Sequence, residues 1–115
     1  MNAYLSKELD ELRLECAAPN WDGYSACALS DDSMNHAMAI AECIPDDLVA
    51  PSVSVDSNGR VYFTWGNVRS KFLTATFVPD VVGKVECTIG QNGRVESQGV
   101  SLDAEDLFRK AKAVL

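Results

Sequence analysis

The spacing of apolar residues changes from a helical period to an alternating one near Pro51. Before that point, one set recurs at i, i+4, i+7 and i+11, the spacing of a single buried helix face: Leu5, Leu9, Leu12 and Cys16. After it, apolar and polar residues alternate, as in a strand with one buried face. A chain that follows both periods in turn is neither all-α nor all-β.

Local signals set the limits of the first two helices. The first helix must end before Pro19. Ser30 suits the N-cap of the second helix, and Asp31 and Asp32 complement the positive end of its dipole. Pro45 ends it. Five residues form its predicted apolar face: Met34, Ala37, Met38, Ala41 and Ile44.

The alternating region predicts four or five short antiparallel strands. Asn58-Gly59 and Asn92-Gly93 favour hairpin turns, because both residue types tolerate positive φ. The last strand, from about Arg94 to Gln98, is expected to be short, polar and at an edge. The side chains predicted to face the core are Val53, Val55, Val61, Phe63, Trp65, Leu73, Ala75, Phe77, Val85, Cys87 and Ile89.

A helix closes the sequence, with Ser101 or Asp103 as its N-cap. Its predicted ion pairs join Glu105 to Arg109 and Asp106 to Lys110. Its predicted buried face is Leu107, Phe108, Ala111 and Val114 or Leu115. We therefore expect one α+β domain over residues 1–115, in which two N-terminal helices and one C-terminal helix pack on one face of an antiparallel four- to five-stranded meander.

The negative charge is concentrated in the first half of the chain. The whole chain has a net charge of -7. Residues 1–50 carry ten acidic and two basic side chains, whereas residues 51–115 carry seven acidic and eight basic ones. An acidic surface repels nucleic acid and anionic membranes and attracts basic proteins. The opening MNAYLSKELDEL lacks the basic start and apolar run of a signal peptide, so we expect a cytoplasmic protein with reduced cysteines and no membrane span.

Two large aromatic rings lie in a segment that suits a loop. Asn20 and Asp22 favour Asx turns, and Gly23 can adopt the left-handed conformation. Trp21 and Tyr24 can then fold inward as anchors between the two helices, which is the interpretation we favour. The alternative is a binding surface, since rigidly held loops that carry aromatic residues are also recognition sites.

The segment Asn20-Trp21-Asp22-Gly23-Tyr24-Ser25-Ala26 resembles the "NWDGYGA" loop of a set of small bacterial and phage proteins. The resemblance continues through Pro45 and Pro51 to Asn58-Gly59 and Trp65, which are similar to a "P…DG…W" hairpin in that set, and it covers roughly residues 5–66. Ser25 stands where that set has glycine. The resemblance implies a fold and a mobile-element setting, and it implies no reaction and no catalytic residue.

These observations predict a non-enzymatic, acidic protein-binding module, of the kind that acts as an inhibitor, antitoxin or counter-defence factor of a phage or mobile element. Its expected partner is a protein with a basic surface, and no cofactor or metal is expected. The predicted partner-binding residues are Trp21, Asp22, Tyr24, Asp31, Asp32, Glu42, Asp46 and Asp47.

The sequence contains residues that suit three other kinds of site. A small enzyme would use Asp22, Tyr24 and His36, or Cys27 with His36 and Asp22. A zinc site would need Cys16, Cys27, His36 and Cys43, which lack the close pairs typical of zinc ligands. A sheet that binds RNA or single strands would combine basic and aromatic residues: Arg60, Arg69, Lys71, Lys84 and Arg94 with Tyr62 and Phe72.

Overall fold

The computed structural model describes residues 2–78 and 85–115 and has the expected α+β architecture. Five strands form one antiparallel meander in the order β1-β2-β3-β4-β5. In chain order the elements are α1 (Ala3–Glu15), α2 (Asp31–Glu42), β1 (Ser52–Val55), β2 (Val61–Gly66), β3 (Lys71–Thr76), β4 (Val85–Gln91), β5 (Arg94–Leu102) and α3 (Ala104–Ala113).

The helices begin where a polar side chain can cap them. Ser30 Oγ accepts a hydrogen bond from Ser33 N at 3.2 Å, which confirms the predicted start of α2. The N-cap of α3 is Asp103 and not Ser101, since Ser101 belongs to β5. The expected pair of Asp106 with Lys110 was wrong. Asp106 instead binds Arg109 at 2.8 Å, one residue nearer along the helix.

The core lies between the sheet and the three helices. Its largest fully buried rings are those of Trp65, Phe63 and Phe77, and Phe63 meets Phe77 edge-on with 4.6 Å between ring centroids. Trp65 Nε1 donates to the Val49 carbonyl at 2.9 Å, so this buried ring keeps its polar atom satisfied. The predicted inward positions are buried or packed against the core.

The two Asn-Gly turns have different geometries. Asn92 (φ 53°) and Gly93 (φ 75°) are both left-handed, as a two-residue hairpin turn requires. In the other turn only Gly59 is left-handed, at φ 76°. There Asp56 Oδ1 accepts hydrogen bonds from Asn58 N and Arg60 N, both at 2.9 Å, which produces a longer loop. The expected positive φ at both residues therefore applies to one turn only.

Strand β5 is an edge strand, as expected, but the expectation that it is short was wrong. It has nine residues, and its register with β4 shifts twice, between Cys87 and Ile89 and again between Ile89 and Gly90. Each shift leaves an extra residue on β5, and Gly99 there has φ 71°. These bulges break the alternation from which the end of the strand was predicted.

Candidate functional site

The segment Asn20–Ala26, called here the Tyr24 loop, is closed by its own hydrogen bonds. Asn20 N donates to the Ala26 carbonyl at 2.7 Å, and Asn20 Oδ1 accepts from Ser25 N at 2.8 Å. Asp22 Oδ1 accepts from Tyr24 N at 2.8 Å and from Ala26 N at 3.1 Å. The predicted Asx turns are therefore present, and they hold both ends and the tip of the loop in one conformation.

The Tyr24 loop contains two non-glycine residues in the left-handed region. Asn20 has φ 61° and Ser25 has φ 65°, while Gly23 has φ 77°. Asparagine tolerates this conformation, but a serine there costs about 1–2 kcal/mol. A glycine at position 25 would adopt the same backbone without that cost. Ser25 thus keeps the loop geometry at the expense of strain.

Backbone hydrogen bonds attach the segment that follows the loop to the β1–β2 turn. Cys27 N donates to the Ser57 carbonyl and Ser30 N donates to the Gly59 carbonyl, each at 2.8 Å. A Cβ on Gly59 would lie 2.2 Å from the Ala28 carbonyl oxygen, so the two segments approach so closely that only glycine fits. The loop and the turn therefore form one rigid unit at one end of the sheet.

The two aromatic residues of the loop have different environments. Trp21 is half-buried against the core, and its Nε1 donates to the Cys27 carbonyl at 2.8 Å, which confirms it as an anchor. Tyr24 is 88% exposed, so the expectation that it folds inward was wrong. The cause is the backbone: left-handed residues at 23 and 25 reverse the chain on both sides of Tyr24, and its ring lies outside the loop.

The acidic residues predicted to bind a partner form two groups. Asp31 and Asp32 are exposed in the first turn of α2, which is separated from the Tyr24 loop by four residues. The other group lies at the far end of α2, whose 12 residues span about 18 Å: Glu42, Asp46 and Asp47. The predicted residues therefore do not make one continuous surface around the Tyr24 loop.

The second acidic group has interactions of its own. Asp47 Oδ2 lies 2.8 Å from Lys112 Nζ, and the hydrogen bond from Lys112 lowers the pKa of the Asp47 carboxyl. Glu42 and Asp46 line a pocket of about 270 Å³ at the start of α1 and the end of α2, together with Leu5 and Pro45. Because Asp47 is already paired, this group offers less free charge to a partner than the sequence indicates.

The candidate catalytic residues have separate surroundings. His36 packs edge-on against Phe77 at 5.3 Å between ring centroids, and its Nε2 is buried without a hydrogen-bond partner in the described part of the chain. Burial lowers the pKa of His36, and a backbone hydrogen bond at Val78 opposes this shift. Asp22 Oδ1 is engaged within the loop. Among residues 2–78 and 85–115, no hydrogen bond joins His36 to Asp22, Tyr24 or Cys27.

The cysteines are divided between the core and the surface. Cys16 and Cys87 are buried, and Cys27 and Cys43 are exposed. Burial raises the pKa of the Cys16 thiol and raises that of Cys87 to about 12, so both are protonated at neutral pH. Within the described ranges, no three His, Cys, Asp or Glu residues are arranged to hold a metal ion.

The basic aromatic face considered for nucleic acid is not assembled as expected. Phe72 is buried, and its ring lies over Gly90, where a Cβ would be 2.6 Å from the ring. Arg60 Nε pairs with Asp56 Oδ2 at 3.1 Å, at the opposite end of β2 from Arg69 and about 20 Å away. Lys84 lies outside the described residues. Arg69, Lys71 and Arg94 lie at one end of the sheet, where the β2–β3 and β4–β5 turns meet, but the buried Phe72 ring leaves them without the expected stacking partner.

Among the described helices, none is both long and apolar enough to cross a membrane. Comparison with known proteins finds no family model, no curated protein and no solved structure that matches this chain. The arguments for function therefore rest on the geometry of the Tyr24 loop and its surroundings.

Proposed function

We propose that this protein is a non-enzymatic binding module that recognises a partner protein through Tyr24. Trp21 holds Tyr24 in position, because it fixes the loop to the core. Asp22 lies in the loop, and Asp31 and Asp32 are exposed at the same end of the sheet, so their carboxylates favour a partner with a basic surface. The observation that carries the proposal is an 88% exposed tyrosine on a strained loop that is held by five internal hydrogen bonds.

Strain and exposure together favour recognition over a purely structural role. A loop that only connected two helices would gain stability by burying Tyr24, since burial of such a ring contributes about 2–3 kcal/mol. Here the ring is in solvent, while Ser25 is held in a conformation that costs free energy. Strained residues of this kind occur preferentially at binding sites, and tyrosine is enriched among the residues that dominate interface energies.

The rigidity of the Tyr24 loop also affects affinity. Five hydrogen bonds within Asn20–Ala26 order the loop before any partner arrives. Binding then loses little backbone entropy, so more of the contact energy appears as affinity. Because Gly23 and Ser25 are left-handed, the segment is not extended. A partner would therefore recognise the Tyr24 side chain and not add the loop to a sheet as a strand.

The acidic residues beside the loop would act mainly on the rate of association. Asp31 and Asp32 are exposed and lie at the same end of the sheet as the loop. Exposed charges steer an oppositely charged partner, and this effect weakens as salt is added. A basic protein surface that otherwise holds nucleic acid would suit this arrangement. In a mobile-element setting, a cytoplasmic module of this kind would act as an inhibitor, antitoxin or counter-defence factor.

The test compares two exposed tyrosines. Tyr24→Ala removes the proposed contact, and Tyr4→Ala removes a ring that is 55% exposed on α1, far from the loop in sequence. The partner is captured from the native host with immobilised wild-type protein, identified by mass spectrometry, purified and titrated by calorimetry. We expect Tyr24→Ala to weaken binding roughly thirtyfold, equivalent to about 2 kcal/mol, and Tyr4→Ala to have no effect.

Charge variants separate the two contributions. Asp31→Asn with Asp32→Asn should slow association at low salt and change dissociation little. The proposal fails if both tyrosine variants bind the partner equally well. It also fails if the wild-type protein captures no partner at low or moderate salt.

A further inference from the structure

The face of the sheet opposite the helices carries an ordered array of hydroxyl groups. Val61, Phe63 and Trp65 point into the core, so Tyr62 and Thr64 lie on the other face, called here the outer face. The strand register places Thr64 beside Thr74, and Thr74 beside Thr88. The Oγ1 atoms of Thr64 and Thr74 are 3.4 Å apart. The three described helices all pack on the inner face.

The outer face is nearly free of charge. Among the outward positions of β1 to β4, Glu86 is the single ionised side chain, although 23% of the whole chain is charged. Two copies of a protein with a net charge of -7 repel each other over most of their surfaces. A neutral face is the surface at which that repulsion is smallest, and its alternating methyl and hydroxyl groups are suited to pack against an identical face.

The two edges of the sheet do not favour pairing between copies. Strand β1 has four residues and follows the buried Pro51, which has no N–H to donate. Strand β5 is longer, but its two bulges and its Arg94 and Glu96 side chains disrupt a regular ladder. Extension of the sheet across either edge is therefore opposed by the structure, and the outer face remains.

We propose that two copies of this chain associate through their outer faces to form a symmetric dimer. The contact is isologous, which means that both copies use the same face. Because Thr74 lies near the centre of that face, it lies near the two-fold axis, and the two sheets pack about 10 Å apart. This inference goes beyond the proposed function and does not depend on it, since the Tyr24 loop lies at the β1–β2 turn. A dimer formed in this way displays two such loops.

The size of the outer face sets the expected strength of the dimer. The four strands β1 to β4, spaced at about 4.8 Å and about 20 Å long, give a plane of roughly 400 Å² in projection. A standard interface buries about 800 Å² of accessible surface per partner, and obligate dimers bury more. The outer face is therefore about half the standard size, in the range of weak and transient contacts. We expect a reversible monomer–dimer equilibrium and not an obligate dimer.

Sedimentation equilibrium over a hundredfold range of protein concentration tests the proposal, with a reducing agent present because Cys27 and Cys43 are exposed. The average mass of the wild-type protein should rise from 12.5 kDa towards twice that value. Added salt should strengthen association, because it screens the repulsion between two acidic copies. Association driven by ion pairs between unlike ends of the molecule would weaken instead, and that result would overturn the proposal.

Two lysine substitutions with the same change in net charge locate the contact. Thr74→Lys places a charge at the centre of the outer face, and Asn35→Lys places one on the exposed side of α2. We expect Thr74→Lys to raise the dimer dissociation constant at least tenfold and Asn35→Lys to leave it unchanged. Circular dichroism checks folding, and Thr88→Lys replaces Thr74→Lys if that variant is unfolded.

Three results would contradict the dimer. One is a mass of 12.5 kDa at every concentration. Another is equal dimerisation of the Thr74→Lys and Asn35→Lys variants, which would place the contact elsewhere. The third is a monomer that is retained on insoluble cellulose or chitin, which would assign the hydroxyl array to a polyhydroxylated polymer.

Discussion

Removal of one buried hydroxyl should destabilise this fold more than its size indicates. Ser33 is fully buried near the start of α2. Its Oγ donates to the Phe77 carbonyl at 2.6 Å and accepts from Val61 N at 2.8 Å, so a single atom joins α2 to β2 and to the segment after β3. Ser33→Ala leaves both backbone groups buried without a partner.

The expected cost follows from those two groups. A buried polar group that loses its partner costs about 1–3 kcal/mol, so two together cost about 2–6 kcal/mol. We expect about 3 kcal/mol, because the space left by one oxygen is too small for a water molecule to restore both hydrogen bonds. That is a large share of the 5–15 kcal/mol typical of a whole domain. The melting temperature should fall by roughly 10 °C.

Urea denaturation followed by circular dichroism measures this loss. The matched control is Ser97→Ala, which removes an exposed hydroxyl from β5 and should change the free energy of unfolding by less than about 0.5 kcal/mol. The slope of the free energy against urea should be the same in both variants, so that the midpoints report stability alone. A Ser33→Ala midpoint equal to that of Ser97→Ala would refute the argument that this hydroxyl joins the three elements.

Three further changes test other parts of the structure. Burial lowers the pKa of His36, so as the pH falls the imidazole is protonated in the unfolded chain before it is protonated in the folded one. The free energy of unfolding should therefore fall between about pH 7.5 and about pH 5.5. Urea midpoints of His36→Gln should show a smaller fall over the same range. Gly59→Ala should cost at least about 2 kcal/mol, because it adds a clash with the Ala28 carbonyl to an unfavourable φ. In the control Gly93→Ala the added Cβ has no atom within 4 Å, so this change should cost only about 1 kcal/mol in the same assay. Ser25→Gly should stabilise the protein by about 0.5–1 kcal/mol, since the relieved strain exceeds the added backbone entropy of glycine, and a lower melting temperature would contradict the strain argument.

The features predicted correctly are those that depend on neighbouring residues in the sequence. The cap at Ser30 needs only a hydroxyl and a free N–H three residues later. The inward faces of β2 and β3 follow from alternation, and Phe63 and Ala75 are both fully buried. Such local rules determined the order of elements, the meander and the side of the sheet on which the helices pack.

Several of the features missed depend on contacts between distant residues. Ser33 and Ile40 are buried, although neither belongs to the predicted apolar face of α2. Ser33 is buried because its hydroxyl forms hydrogen bonds with β2 and with the segment after β3, which lie 28 and 44 residues further along the chain. The signal that could have found it is its position next to the N-cap, where a small polar side chain can enter the core.

The exposure of Tyr24 was missed for a related reason. The sequence shows that Asn20-Trp21-Asp22-Gly23-Tyr24 suits a loop, but the direction of the ring depends on the φ of Ser25, a residue type that rarely adopts a left-handed conformation. The hydrogen bond from Ser25 N to Asn20 Oδ1 and the attachment of the following segment to the β1–β2 turn compensate for this conformation. The candidate site is thus defined by contacts that the loop sequence alone does not contain.

The Tyr24 loop and the outer face would act together if both proposals hold. A dimer through the outer face leaves each loop free, because the loop is attached to the β1–β2 turn and its ring is in solvent. Two loops on one rigid dimer raise the effective concentration of the second contact, but only for a partner that itself carries two sites. Thr74→Lys should therefore weaken binding to such a partner without changing the affinity of a single site, whereas Tyr24→Ala weakens both. A Thr74→Lys variant that lost single-site affinity would show that the outer face touches the partner directly, and the two surfaces would then form one site.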